Sequence, residues 1–355
     1  MKPNDRSLKK SWAKKRYVLI GIVLLACLGI SAVVLIFSHS PSRELLAQRI
    51  ATVNAAHVLA PEENAATIYD QLVASGAFTG TGPDPILTGY TTLVKASRME
   101  SCWFPLVPGE QCYLEHGKLN LPMRRWMFEL VSMARSDVAG ERYANAAEKL
   151  DCLTRMAGHL QQQLLASDFL VGMAIENHVS LTLAECIMQA NDAEELLRVV
   201  EAMPPDKLAN DYEHISPQIL QVSALIAESV WAEQTPQQRV RNWWQRIREK
   251  SEEENCEEVY LRLLSRRRGT RLLAGLKRYH DTNGRWPDSL DEIGTLVPEQ
   301  ALIDPLTEQT FVYRKEAGSQ FVLYSKGPNK RDENGLRDAK ADDYRIWPRY
   351  GIKAP

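Results

Sequence analysis

The sequence lacks every short motif that marks a common catalytic or cofactor site. HExxH, GxSxG, the phosphate-binding P-loop and the dinucleotide-binding glycine fingerprint are all absent. Six cysteines and seven histidines are scattered without CxxC or zinc-type spacing, so we expect no structural zinc site. With 43 basic and 45 acidic side chains there is no basic excess, which argues against nucleic acid as a partner. These absences favour a non-enzymatic role.

The overall composition is that of an ordinary globular protein. The apolar fraction is 45% and the charged fraction 25%, which excludes wholesale disorder and collagen-like or rod-like structure. A chain of 355 residues has room for about two or three domains. No internal repeat of fixed period is present, so no named repeat family is predicted.

One long hydrophobic run interrupts this composition. Residues 17–37 carry no charge and, as a helix, would extend about 31 Å, which matches the bilayer hydrocarbon core. Lys and Arg are frequent before the run, whereas only Arg43 and Arg49 follow within a similar distance. The positive-inside rule then predicts a single-pass protein of the inner cell membrane, with a cytoplasmic N-terminus, the remaining bulk extracytoplasmic, and the lipid bilayer as a partner. A lipoprotein box ending at Cys27 is the alternative, but the run continues past it.

The remaining cysteines would face an oxidising compartment, where disulfides persist. Cys102 and Cys112 flank a segment with two prolines and a glycine, which predicts a compact turn closed by a disulfide. Cys152 and Cys186 could join two packed helices. The alternative is that these residues are buried free thiols, which are common small hydrophobic residues. Glu115-His116 beside Cys112 also allows a thiol nucleophile, but a cysteine paired with Cys102 cannot act as one.

Apolar residues recur at helical spacing over most of the chain, and two β-type runs flank a short loop near its end. The stripes predict antiparallel helices that bury against one another as a bundle or short solenoid. TFVYRK and QFVLYS around EAGS predict a β-hairpin. We therefore expect a mainly α protein with a small C-terminal α+β domain. Its predicted segments are a basic tail (1–16), a transmembrane helix (17–37), an extracytoplasmic α-helical domain (42–250) and the α+β domain (253–350).

Residues 260–347 resemble the C-terminal domain of type II secretion major pseudopilins. The similarity rests on Gly284-Arg285-Trp286-Pro287 at a turn after a long helix, on Asp304-Pro305 before a sheet, and on the stretch from Tyr324 to Asn329. The resemblance implies a helix followed by a small sheet and a calcium-binding loop. Residues 17–37 contain neither the glutamate nor the leader-peptidase pattern of a pseudopilin, so the resemblance implies a shared domain and not a pseudopilus subunit.

Calcium is the ligand that this resemblance implies, because calcium takes about 6–8 oxygen ligands from flexible loops. The alternative is a solvated acidic loop, neutralised by neighbouring Lys and Arg side chains. The candidate ligands are the side-chain oxygens of Asp332, Asn334, Asp338, Asp342 and Asp343.

The expected function is that of a membrane-anchored protein with a structural or interaction role, associated with a secretion or cell-envelope assembly and its protein partners. Two alternatives stay open. One is an extracytoplasmic hydrolase whose site is built from residues distant in sequence. The other is a calcium-dependent binding module.

Overall fold

The computed structural model describes residues 41–76, 85–203, 208–235, 237–238, 252–316, 320–336 and 342–348. This part of the chain is mainly helical and ends in two small antiparallel sheets, as the sequence predicts. The helices are α1 (Arg43–Ala55), α2 (Ala65–Ala74), α3 (Pro85–Ser97), α4 (Gln111–Ala139), α5 (Tyr143–Gln161), α6 (Ala166–Gln189), α7 (Glu194–Ala202), α8 (Leu208–Glu233) and α9 (Glu252–Asn283). The strands are β1 (Ile303–Asp304), β2 (Gln309–Thr310), β3 (Val312–Glu316), β4 (Gln320–Ser325) and β5 (Tyr344–Trp347).

Two asparagines tie the first helices to the segment that precedes α4. Asn64 caps α2, because its Oδ1 accepts a hydrogen bond from the Ala66 amide at 3.1 Å. The same oxygen accepts from the Trp103 amide at 2.9 Å. Asn54 makes two hydrogen bonds with the backbone of Leu106. Its Nδ2 donates to the Leu106 carbonyl at 2.7 Å, and its Oδ1 accepts from the Leu106 amide at 2.9 Å. The bonds to Trp103 and Leu106 satisfy backbone groups that lie outside any helix or strand.

The central helices α4, α5 and α6 bury the apolar stripes that the sequence predicts. On α4 the repeat of apolar residues at three and four positions is buried throughout. Helices α5 and α6 approach closely at Gly172, where an added Cβ would lie 2.8 Å from the backbone oxygen of Ala157. The buried α4 residues are Leu119, Met123, Trp126, Met127, Leu130, Val131 and Ala134.

Helix α3 begins at a proline, within a stretch rich in glycine and proline. Glycines and prolines of residues 75–89 are typical of a loop, but the helix starts at Pro85. Proline is favoured in the first turn of a helix, where its missing amide has no intrahelical partner to lose.

The C-terminal sheet packs on α9. Strands β3, β4 and β5 form one antiparallel sheet in that order, with Val312 opposite Tyr324 in the β3–β4 pair, so the predicted hairpin is confirmed. Sheet and helix share one apolar core, which includes Leu272 and Leu276 of α9. Gly269 allows the contact, because a Cβ there would lie 2.7 Å from Cγ2 of Ile346.

The predicted transmembrane helix at 17–37 lies outside the described residues. Among the helices of the described ranges, none combines the length and the apolar character that a membrane span requires.

The predicted disulfide between Cys102 and Cys112 is wrong, because both cysteines are free and buried. The segment between them is not a compact turn. Its backbone is bonded instead to neighbouring helices, as at Leu106, whose amide donates to Asn54. Cys102 and Cys112 consequently pack in two different hydrophobic clusters.

The predicted disulfide between Cys152 and Cys186 is also wrong, although both residues lie in one core cluster. Cys152 on α5 has a hydrogen bond with Ser97, whereas Cys186 on α6 lies in the field of Arg135 and Glu185. The two thiols thus face different neighbours. Burial raises the pKa of each to about 12, so both stay protonated at neutral pH.

Candidate metal centre

The loop after β4 reverses direction through residues with left-handed backbone conformation. Gly327 and Gly335 have φ of 66° and 73°, and Asn334 has φ of 60°. Glycine adopts this region without a Cβ penalty, and asparagine tolerates it better than most residues. The amide of Gly327 donates to Ser325 Oγ at 2.9 Å, which starts the first reversal. These turns bring Glu333 against the residues that lead into β5.

Three acidic side chains converge in this loop. Glu333, Asp342 and Asp343 each offer a carboxylate oxygen, and these oxygens lie within 4.8 Å of one another. Asp343 is fully buried, while Glu333 and Asp342 are partly buried. Ionised carboxylates at this separation repel one another unless a cation or a proton lies between them.

Each of these carboxylates has one bonded oxygen and one buried oxygen without a partner. Asp343 Oδ2 accepts from the amides of Gly335 at 2.7 Å and Glu333 at 3.0 Å. Glu333 Oε1 accepts from Asn329 Nδ2 at 2.7 Å, and Asp342 Oδ2 accepts from the Asn329 amide at 3.2 Å. In the described part of the chain, Glu333 Oε2, Asp342 Oδ1 and Asp343 Oδ1 have no hydrogen-bond partner. Buried acceptors without partners are costly, so such a set points to a ligand.

Burial and a neighbouring charge both act on Asp343. Burial raises its pKa, and the Glu333 carboxylate, which is close enough to share a proton with it, raises it further, whereas the amides of Gly335 and Glu333 lower it. The net result is a pKa of about 6. Within the described ranges none of the three carboxylates forms an ion pair with a Lys or Arg side chain. A cation, or a proton shared between two of the carboxylates, would relieve their repulsion.

The donor set suits a hard divalent cation. Carboxylate and carbonyl oxygens are the ligands that Ca²⁺ takes, in flexible arrangements of about 6–8. Three carboxylates would be completed by backbone carbonyls and water. Gly327 keeps the wall of the cluster open, because a Cβ there would lie 2.3 Å from the Asp342 backbone oxygen and 2.7 Å from its Oδ1.

The structure brings two of the five predicted ligands into this cluster, namely Asp342 and Asp343. Asp332 is used otherwise, since its Oδ1 accepts from the Tyr324 hydroxyl at 2.7 Å and from the Asn334 amide at 2.9 Å. Asn334 Oδ1 in turn accepts from Arg314 at 3.0 Å. These two side chains position the loop and do not join the cluster.

Asp338 lies outside the described residues, and Glu333 is a member that the sequence reasoning missed. Glu333 stands between Asp332 and Asn334 in the same acidic loop, so the loop's composition was compatible with Glu333 as a further ligand. Composition does not show which of these three adjacent polar side chains turns towards Asp342 and Asp343.

A second polar cluster lies buried between α4 and α6. His116 Nδ1 is hydrogen-bonded to Asp168 Oδ2, Asn120 donates to Asp168 Oδ1 at 2.6 Å, and Cys112 contacts His116. Burial lowers the pKa of His116, but the bonds and charges of Asp168 and Cys112 outweigh it and raise the pKa to about 10. Cys112, His116 and Asp168 are at most 2% exposed, so a substrate cannot reach this arrangement.

Comparisons of the chain with protein-family models, with curated proteins and with solved structures find no match.

Proposed function

We propose that this chain is a single-pass membrane-anchored protein with a structural or interaction role in a secretion or cell-envelope assembly. Residues 17–37 would anchor it, with the N-terminus in the cytoplasm and the helical bulk outside. The C-terminal sheet would act as a calcium-stabilised module that contacts partner proteins. The hydrophobic run with its basic flank supports the anchor.

The cluster of Glu333, Asp342 and Asp343 is the observation that carries the proposal. Three buried carboxylate oxygens without partners lie on the loop between β4 and β5. A bound Ca²⁺ would give each of them a partner and would tie that loop to the sheet. Extracellular calcium modules work at dissociation constants of about 10⁻⁴–10⁻³ M, which suits a protein outside the cytoplasm.

The hydrolase alternative has one candidate nucleophile, Cys112, in contact with His116. Both side chains are buried in the helical part, and His116 is bonded to the buried Asp168. A thiol nucleophile must be accessible to its substrate. This enclosure favours the interaction role over the hydrolase.

Calcium binding is tested by thermal unfolding of the full chain in detergent, with calcium, magnesium or a chelator. At a calcium concentration about a hundred times the dissociation constant, we expect a rise in Tm of about 5 °C. Asp343→Asn should abolish the rise, whereas the matched control Asp332→Asn, in the same loop but outside the cluster, should keep it. An unchanged Tm of the wild-type chain would overturn the calcium proposal.

The anchor is tested separately with a reporter fused to the C-terminus and by alkaline extraction of membranes. We expect the chain to stay with the membrane fraction and a periplasmic reporter to be active. A reporter active only inside the cell would overturn the proposed topology whatever the calcium result.

The interaction role is tested by cross-linking the full chain in intact cells and identifying what it contacts. We expect components of a secretion or envelope assembly. Recovery of none of them would contradict the role, even if the anchor and the calcium site were both confirmed.

A further inference from the structure

The outer face of α4 carries a largely exposed apolar stripe, which contacts the rest of the described chain at Phe128, whose ring packs edge-on against His178 of α6 at 5.5 Å. Leu114, Leu121 and Phe128 follow at seven-residue spacing, which places them on one side of the helix over about 21 Å. Their exposed fractions are 55%, 68% and 51%. The opposite side of α4 is buried in the core, so this helix has apolar side chains on two faces.

Basic side chains flank the stripe. Lys118, Arg124 and Arg125 are exposed and lie within about 60° of Leu121 around the helix axis. Lys118 pairs with Glu115 at 2.8 Å. Across the described ranges, Arg124 and Arg125 take part in no ion pair. The face thus combines exposed apolar groups with positive charge.

We propose that this face of α4 lies on a bilayer surface that contains anionic lipids. The three apolar side chains would enter the boundary between head groups and acyl chains, and the arginines would bind lipid phosphates. This inference rests on the anchor of the proposed function, which brings a bilayer within reach.

Charge complementarity favours an anionic bilayer surface, and not another segment of this chain, as the partner of the α4 face. The segments 1–16 and 239–251 both carry an excess of Lys and Arg, so the arginines of α4 would repel them. The same face of a second copy would be repelled for the same reason. An anionic surface is the partner that attracts the basic flanks and accepts the apolar stripe.

The chain length before α1 places the start of α4 near the membrane. Helix α1 begins at Arg43, shortly after the predicted span ends at residue 37, and a fully extended link would reach about 20 Å. Leu46 and Ile50 of α1 share one hydrophobic cluster with Cys112, at the first turn of α4. The stripe begins on this same turn with Leu114.

The test uses the full chain in vesicles of phosphatidylcholine, with or without phosphatidylglycerol. A nitroxide is attached at Gly117→Cys, between Leu114 and Leu121, in a background with Cys27→Ser and Cys256→Ser. The matched control is Gly158→Cys on α5, because a Cβ at either glycine would meet nothing within 4 Å. A high collision rate of the label with oxygen indicates that it lies in lipid, and a high collision rate with a water-soluble nickel chelate indicates that it is exposed to water.

With phosphatidylglycerol present, we expect the label at position 117 to gain oxygen contact and lose nickel contact, while the label at 158 does not change. Replacing Arg124 and Arg125 together by Gln should shift the equilibrium between docked and undocked states about thirtyfold towards undocked.

Three outcomes would overturn the inference. The label at 117 could stay as water-accessible as in detergent. It could show spin–spin broadening that grows with protein density, which would indicate a second copy. It could also lose contact with both oxygen and nickel, which would indicate a protein cover. Alkaline extraction of the same vesicles distinguishes a failed anchor from a failed surface contact.

Discussion

Arg267 on α9 donates two hydrogen bonds to Glu176 on α6, from Nε at 2.6 Å and from Nη2 at 2.8 Å. Both side chains are at most 2% exposed. Burial raises the pKa of Glu176, but the charge and hydrogen bonds of Arg267 lower it below its ordinary value. This pair joins the central helices to the helix that supports the C-terminal sheet.

Arg267→Met should destabilise the protein by about 3–5 kcal/mol, because it leaves the charge of Glu176 buried without its partner. Denaturant unfolding measures the change. The matched control is Arg155→Met, which breaks the exposed pair with Asp151 and should cost less than about 1 kcal/mol. Equal losses in the two variants would contradict the assigned role of the buried pair.

The buried His116 should make stability fall at alkaline pH. Its folded pKa is about 10 and lies above the ordinary value of 6.5. Its charge interaction with Asp168 is therefore fully present below about pH 6.5 and is lost as the pH rises towards about 10. Wild-type and His116→Asn chains are compared by thermal unfolding across this range, and the gap between their Tm values should shrink as the pH rises. A constant gap would refute the shifted pKa.

Gly327→Ala should weaken the proposed calcium site and the fold together. The backbone conformation alone costs about 1–2 kcal/mol, and the added Cβ would also lie 2.3 Å from the Asp342 backbone oxygen. Gly284→Ala is the matched control, since its φ of 68° is similar and a Cβ there would meet nothing within 4 Å. Thermal unfolding with and without calcium should show a larger loss of Tm and a smaller calcium shift at position 327. The prediction fails if both variants behave alike.

The four described cysteines should be thiols that react only after unfolding, because all are buried. In a chain with Cys27→Ser and Cys256→Ser, a thiol reagent should label none of them under native conditions and all four in denaturant. A non-reducing digest serves as the check. Recovery of two peptides linked through Cys102 and Cys112 would show that these residues form a disulfide and would contradict the free thiols of the structure.

Local pattern was sufficient to predict the helical class, the buried stripe of α4 and the β3–β4 hairpin. These features follow from spacings of three and four residues or from alternation over a few positions, and short-range geometry decides them. Two of the calcium ligands that were predicted in the acidic loop, Asp342 and Asp343, lie together there.

Only the tertiary structure decided which side chains meet across long separations. Cys102 and Cys112 are close in sequence yet pack in different clusters, while Glu176 and Arg267 are far apart in sequence and form a buried pair. Glu333 joins the acidic cluster, where its Oε1 accepts from Asn329 and its amide donates to Asp343. The periodicity of apolar residues can be read directly from the sequence. Contacts between residues far apart in the chain depend on how whole helices and turns pack together, and no short stretch of sequence specifies that packing.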